Sequence, residues 1–214
     1  MSPQEENELN YKYIFEAWKQ SIEVQQHFND ICMRIRNYFI TIISALFAFM
    51  GVVLSELDDP FFQVLTISVH TSVPLLLAII AATYLFYFID RHWYHRLLLG
   101  AVQNAIQIEQ GLKKSIPGIE LTGAIGEKSP LDVSQKGVGN FFLYRIARIF
   151  GSDPRVKSEK KIHSDAKISM FYKMVGAFFS LILIVTLAAG GIKTSGPGAE
   201  GIESSIRNEQ QQDR

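Results

Sequence analysis

The sequence predicts an all-α integral membrane protein: three transmembrane helices joined to long cytoplasmic helical stalks. Three observations lead there. Charge vanishes from three windows of span length, helical stretches free of Gly and Pro run into or out of them, and Lys and Arg gather on one side. The 214 residues, 48% hydrophobic with 21 basic and 21 acidic side chains, fit one domain with appendages. That balance argues against duplex nucleic acid as a partner. The single cysteine, Cys32, excludes an internal disulfide and a cysteine-rich zinc site. With Glu5, Glu6 and Glu8 and no Lys or Arg before residue 10, the opening lacks the basic start of a secretory signal.

Taken in order, residues 1–36 read as a cytoplasmic amphipathic helix. Ile14, Trp18, Ile22, Phe28, Cys32 and Ile35 share a stripe, while Lys12, Lys19, Glu23 and Gln26 fall elsewhere. That stripe must meet another helix or lie flat on lipid. The helix continues into the first span, 37–55, whose only ionisable group is Tyr38. A helix rises about 1.5 Å per residue, so ~20 residues cross a hydrocarbon core of roughly 30 Å. A short outer loop, 56–66, precedes the second span, 67–89, and His70 lies near the outer water interface. The return stalk, 90–114, repeats Trp93, Leu97, Ala101, Ala105, Ile108 and Leu112 and ends at Gly111, Pro117 and Gly118. The two stripes suit each other, or copies in neighbouring subunits.

Residues 115–167 read as a cytoplasmic loop and a basic helical segment. Five Gly and two Pro make 115–139 a loop. The run 140–150, NFFLYRIARIF, fits either an interfacial helix, with Phe141, Phe142 and Ile149 in lipid, or a core piece of the cytoplasmic part. Asp153 and Pro154 read as N-cap and first helical position of a charged, solvated third stalk continuing into the third span, 168–192. A Gly-, Ser- and Gln-rich tail, 193–214, reads as disordered and outside. Orientation follows the basic residues: Arg34 and Arg36 precede the first span, the 55–72 connection has no Lys or Arg, and 91–173 carries 14 basic against 7 acidic residues. The N-terminus is therefore expected in the cytoplasm and the C-terminus outside, in a bacterial inner membrane.

Catalytic chemistry finds little foothold. Arg91, His92, Trp93, Tyr94, His95 and Arg96 read as a membrane-interface belt, with aromatic rings at headgroup level and cations snorkelling. His92 and His95 alone are too few for a metal site. His27 with Asp30 lacks a nucleophile, Cys32 sits on the apolar stripe, and the GVGN at 137–140 lacks a Walker lysine. No Asp, Glu, Lys or Arg lies inside a span to relay protons. No enzyme activity, cofactor or metal is expected. The basic set Arg145, Arg148, Arg155, Lys157, Lys160 and Lys161 reads as binding lipid headgroups or an anionic cytoplasmic ligand such as a nucleotide.

Small residues at helical spacing on the spans, together with the unpartnered stripes, point to self-association. In a ring of subunits the uncharged spans form a constriction that gates by dewetting, with Thr41, Ser44, Thr83 and Thr186 as candidate pore-lining groups. The helix RIRNYFITIISALFAFMG (34–51), a short outer loop, a second span and a return stalk opening DRHWYHRLLLGAV (90–102) resemble small bacterial membrane proteins of the SLATT type and the similar RipA-like octameric family. The resemblance covers roughly residues 10–112. It implies an oligomeric membrane effector, often in phage defence, with a signalling enzyme supplying a nucleotide. The third span and tail depart from that two-span plan, and no ligand residue carries over. The expectation is a homo-oligomeric inner-membrane pore gated by a cytoplasmic ligand or partner; the alternative is a non-conducting scaffold recruiting a soluble partner through its basic region.

Overall fold

The computed structural model describes residues 3–57, 60–113, 115–134 and 137–194. The order is α1 (Pro3–Glu56), β1 (Phe61–Val64), β2 (Ile67–His70), α2 (Ser72–Tyr87), a π-helical turn (Phe88–Tyr94) and α3 (His95–Leu112). Then follow α4 (Leu121–Lys128), β3 (Leu131–Asp132), α5 (Val138–Phe150), α6 (Arg155–Glu159), β4 (Lys161–Ile162), α7 (Ser164–Ala188) and β5 (Ile192–Thr194). Three helical stretches are long and apolar enough to cross a membrane: α1, the continuous α2–α3 helix, and α7. The chain divides into two compact units, Met1–Ile42 with Ala82–Gly176, and Ile43–Ala81 with Ala177–Arg214.

In the first unit, the apolar stripe of α1 meets α3. Asn104 Nδ2 donates to Ser21 Oγ (2.9 Å), Trp18 Nε1 to Glu109 Oε1 (3.2 Å), and Ser115 Oγ to Tyr11 Oη (3.1 Å). These ladder contacts run antiparallel, so the two stretches pair within the chain, one of the arrangements the stripes allow. The stripe on α3 is partly re-phased: Ala101, Ala105, Ile108 and Leu112 are at least partly covered, whereas Trp93 and Leu97 are exposed. Trp93 lies in the π-helical turn, which fits an additional residue into the helix and puts it out of phase with the face of α3. Phe39 is buried among the rings of Phe86, Phe171 and Tyr172, with centroids 4.8–5.6 Å apart.

A small second core draws on residues expected as loop and solvated stalk and on the run 140–150, for which a core piece is one of the two expectations. Val133, Ala147, Val156, Ile162 and Ala166 are buried together, with Tyr144 and Met170 packed against them. Helix α4 occupies Leu121–Lys128 despite Gly123 and Gly126, because Glu109 accepts its first backbone N–H groups. The third stalk is not continuous. Lys160 takes a left-handed conformation (φ 51°) and β4 pairs with β3, so α7 begins afresh at Ser164. The N-cap of the short α6 is Pro154 and not Asp153, although Asp153, one residue earlier, accepts the Arg155 N–H at 3.0 Å.

In the second unit, Ile43, Met50, Val73, Leu76, Ile79 and Phe179 are buried, and the rings of Phe47 and Phe179 meet edge-on at 5.6 Å. The residues expected as a plain outer loop form an antiparallel hairpin, Phe61 opposite His70 through Val64 opposite Ile67. Strand therefore takes the first residues assigned to the second span, and helix α2 starts only at Ser72. His70 caps that start: its Nδ1 accepts the Ser72 N–H at 3.3 Å and lies 2.7 Å from Ser72 Oγ. Strand β5 adds to β2, so Lys193 and Thr194 of the expected disordered tail are ordered; the remainder of that tail lies outside the described residues. Gly190 (φ 88°) makes the turn from α7 to β5. Its N–H bonds to the Leu187 carbonyl (3.1 Å) and that of Gly191 to Thr186 (3.0 Å), the paired bonds of a Schellman ending.

Candidate functional site

The most constrained chemistry in the described residues is a buried charge cluster in the first unit. Asp90 comes from the π-helical turn and is fully buried. Arg36 of α1 grips it as a fork, Nε to Oδ2 at 2.7 Å and Nη2 to Oδ1 at 3.2 Å. From α7, Tyr172 Oη donates to Asp90 Oδ2 at 3.1 Å. One carboxylate thus ties together three helices, each belonging to a different apolar stretch. Burial works against the Arg36 cation, but the hydrogen bonds to Asp90 outweigh it and raise its proton affinity. Cys32, one turn before Arg36 on α1, is buried beside the cluster, and burial followed by the Asp90 charge pushes its thiol up to about 11. That favours the neutral, unreactive thiol.

The expected interface belt divides. His92, Trp93 and Arg96 are exposed, and Arg91 and Tyr94 are half-buried. The Arg91 guanidinium contacts Tyr87 Oη, which lies 3.3 Å from Ser169 Oγ on α7. His95, by contrast, turns inward and is buried. Its Nε2 lies 3.4 Å from Asp165 Oδ1, and neither ring nitrogen has a hydrogen-bond partner among the described residues. Burial lowers its pKa against the opposing pull of Asp165 and Asp90. Among the described residues no three His, Cys, Asp or Glu side chains converge as a metal site would need.

The basic set does not gather at one point. Arg148 and Lys157 line a cleft of about 150 Å³ with Ser152, Asp153, Pro154 and Val156. Arg155 and Arg91 line a second cleft, about 340 Å³, with Ser152, Asp153, Pro154 and Asp165. Arg155 is already engaged: its Nε and Nη2 donate to the two Asp153 oxygens at 3.1 and 3.0 Å, and Asp165 lies 3.7 Å away. Burial opposes the Asp153 charge, yet these bonds prevail and hold its carboxyl below the usual range. Arg145, Lys160 and Lys161 are exposed and line neither cleft.

Of the four pore-lining candidates, Thr41 and Ser44 are exposed on α1 and Thr186 is partly covered on α7. Thr83 is buried, its methyl 3.7 Å from where a Cβ on Gly176 would stand. Asp90 and Glu109, which the sequence offers only as neighbours of His92 and His95 too few for a metal site, carry the buried polar contacts instead. Asp90 was recoverable as the one acid at the end of the second span, matching Arg36 at the start of the first. Glu109 sits four residues after Ala105 and three before Leu112, so it lies on the apolar face and needs donors there. No family model, curated protein or solved structure matches the chain.

Proposed function

We propose that this chain is a multi-pass protein of a bacterial inner membrane that assembles with copies of itself into a gated pore, an effector triggered from the cytoplasmic side. The observation that carries this reading is on α1. Asn37, Thr41, Ser44, Ala48, Gly51 and Ser55 recur at steps of four and three residues, which places them on one helix face, and all six are exposed. Outside that stripe the exposed residues are mostly large, Tyr38, Ile40, Ile42, Phe47, Phe49 and Val52, with Ala45 the small exception. A span facing only lipid has no use for an uninterrupted small and polar stripe. Repeated around a ring, the stripe permits close helix approach and presents hydroxyls to a narrow lumen.

Signals would reach the pore through the Asp90 cluster, because Arg36 lies one residue before the stripe begins and Asp90 and Tyr172 hold it. A nucleotide or a partner protein engaging the clefts around Ser152–Pro154 would act on α7 and the π-helical turn through Asp165 and Arg91. The test is a cysteine scan of residues 41–51 in a Cys32→Ala background, with the full chain in liposomes and a small charged thiol reagent in the water phase. Thr41, Ser44, Ala48 and Gly51 variants should react faster than Ile42, Phe47 and Phe49 variants. Uniform protection, or reactivity without that periodicity, would sink the reading.

A further inference from the structure

Helix α5 presents an apolar face that nothing among the described residues covers. Val138 is 89% exposed, Phe141 64%, Phe142 65% and Ile149 70%. At about 100° per residue these four fall within a single arc, while Ala147 on the opposite side is 1% exposed and sits in the small core. Two cations accompany the apolar arc: Arg145 within it, its guanidinium 5.8 Å from the centre of the Phe141 ring, and Arg148 beside Phe141. Residues 138–150 contain no carboxylate. The helix thus combines an aromatic face with positive charge and carries no acid of its own.

Its position names the occupant. The C-terminal end of α5 is held against the part of α7 where the sequence turns apolar. A Cβ on Gly151 would stand 3.3 Å from the Ala166 methyl and 2.3 Å from the Ala147 carbonyl oxygen, so the approach depends on glycine. Lys173 Nζ contacts Ser152 Oγ, two residues past the end of α5. Between Ala166 and Lys173, Ser169 and Tyr172 meet Tyr87 and Asp90, at the end of the second apolar stretch. From these placements we propose that α5 lies in the surface of the membrane the protein spans, with Phe141, Phe142 and Ile149 among the upper acyl carbons and Arg145 and Arg148 on anionic lipid phosphates. The inference rests on the membrane-spanning reading of α7 and on no property of a pore. Cations near an anionic surface are attracted to it, and the apolar side chains beside them leave water by entering the acyl boundary.

The test uses the full chain in a Cys32→Ala background, reconstituted in vesicles of mixed anionic and zwitterionic lipid. Single cysteines replace Phe142, Leu181 on α7 (60% exposed) and Tyr13 on α1 (65% exposed), and each carries an environment-sensitive fluorophore. Nitroxides at a shallow acyl position should quench the probe at 142, and aqueous iodide should leave it bright. Replacing both Arg145 and Arg148 with Gln, or omitting the anionic lipid, should lose that lipid quenching and admit iodide. Iodide quenching at 142 equal to that at 13 would overturn the proposal. So would protection from both quenchers with self-quenching between labelled copies, because a second subunit would then cover the face. If the probe at 181 also escapes lipid quenching, the membrane reading of α7 fails and this proposal falls with it.

Discussion

At the scale of single residues, the strongest commitment in the fold is a carboxylate with no exposure to water. Asp90 is tolerable only because Arg36 neutralises it and Tyr172 supplies a further hydrogen bond. Removing its charge leaves Arg36, itself largely covered, with an amide in place of a counter-ion. Breaking one side of a buried ion pair costs about 3–5 kcal/mol, while replacing every member with apolar groups of similar volume is often neutral. Asp90→Asn should therefore lower the thermal midpoint of the detergent-purified protein by an amount corresponding to about 3 kcal/mol. The triple variant Arg36→Met, Asp90→Leu, Tyr172→Phe should regain most of that loss. An Asp90→Asn variant as stable as the parent would mean the cluster is not holding the helices. Two members of this cluster, Arg36 and Asp90, were visible in the sequence as opposite charges at the ends of two adjacent spans. Their meeting was not, since only the π-helical turn brings Asp90 inward, and no residue pattern from Phe88 to Tyr94 announces that turn. His95 shows the same limit: its neighbours Trp93 and Arg96 are exposed, while His95 itself faces inward toward Asp165 and is buried.

At the scale of elements, periodicity proved a good guide to long helices and a poor one to the short elements between them. The apolar faces of α1 and α3 meet, one of the pairings their spacing allows, but Gly123 and Gly126 lower helix propensity and make α4 read as loop. What offsets that loss is one side chain from another helix. Glu109 accepts N–H bonds from Thr122 at 2.8 Å and Gly123 at 3.0 Å, satisfying donors that a helix start leaves open. Burial raises the cost of the Glu109 charge, but the bonds from those two amides prevail and hold its pKa below the usual carboxylate range. The sign of the pH dependence follows. The native carboxyl binds protons less readily than the unfolded one, so its contribution is complete above the unfolded pKa of about 4.3 and is lost as pH falls through the lowered native value. Glu109→Gln should cost about 1–2 kcal/mol near neutral pH. It should also flatten the acid limb of a thermal-midpoint profile, the two proteins converging at low pH. Parallel profiles would show that Glu109 does not supply that limb. Lys160 illustrates the remaining difficulty: a lysine at φ 51° has no compositional signature, so the break before α7 was hidden in a run that otherwise reads as continuous helix.

At the scale of the whole molecule, the three apolar stretches were legible because lipid imposes a length that few other environments demand. What surrounds them is a separate matter. Only 17–28% of each apolar window is buried within the chain, so the remaining surface must meet lipid, further copies, or both. Large side chains such as Leu77, Leu85, Leu181 and Ile184 are content with acyl chains. The exposed stripe on α1 is different. Thr41 and Ser55 return their hydroxyl protons to carbonyls of their own helix, Asn37 at 3.0 Å and Val52 at 2.8 Å, so hydrogen bonding alone does not force a partner on them. Packing distinguishes the environments: Ala48 and Gly51 leave a shallow groove, which a neighbouring helix fills with more contacts than a disordered lipid tail. Closing a lumen with such a face requires several copies, each contributing one α1. The protein mass of the particle in mild detergent, with bound detergent subtracted, should therefore be a single closed multiple of four or more chains. Replacing Ser44 and Ala48 with Leu should reduce that multiple by blocking helix approach. A parent protein that remains monomeric or dimeric across several mild detergents would leave no lumen for α1 to line, and the scaffold reading would then account better for the exposed cations.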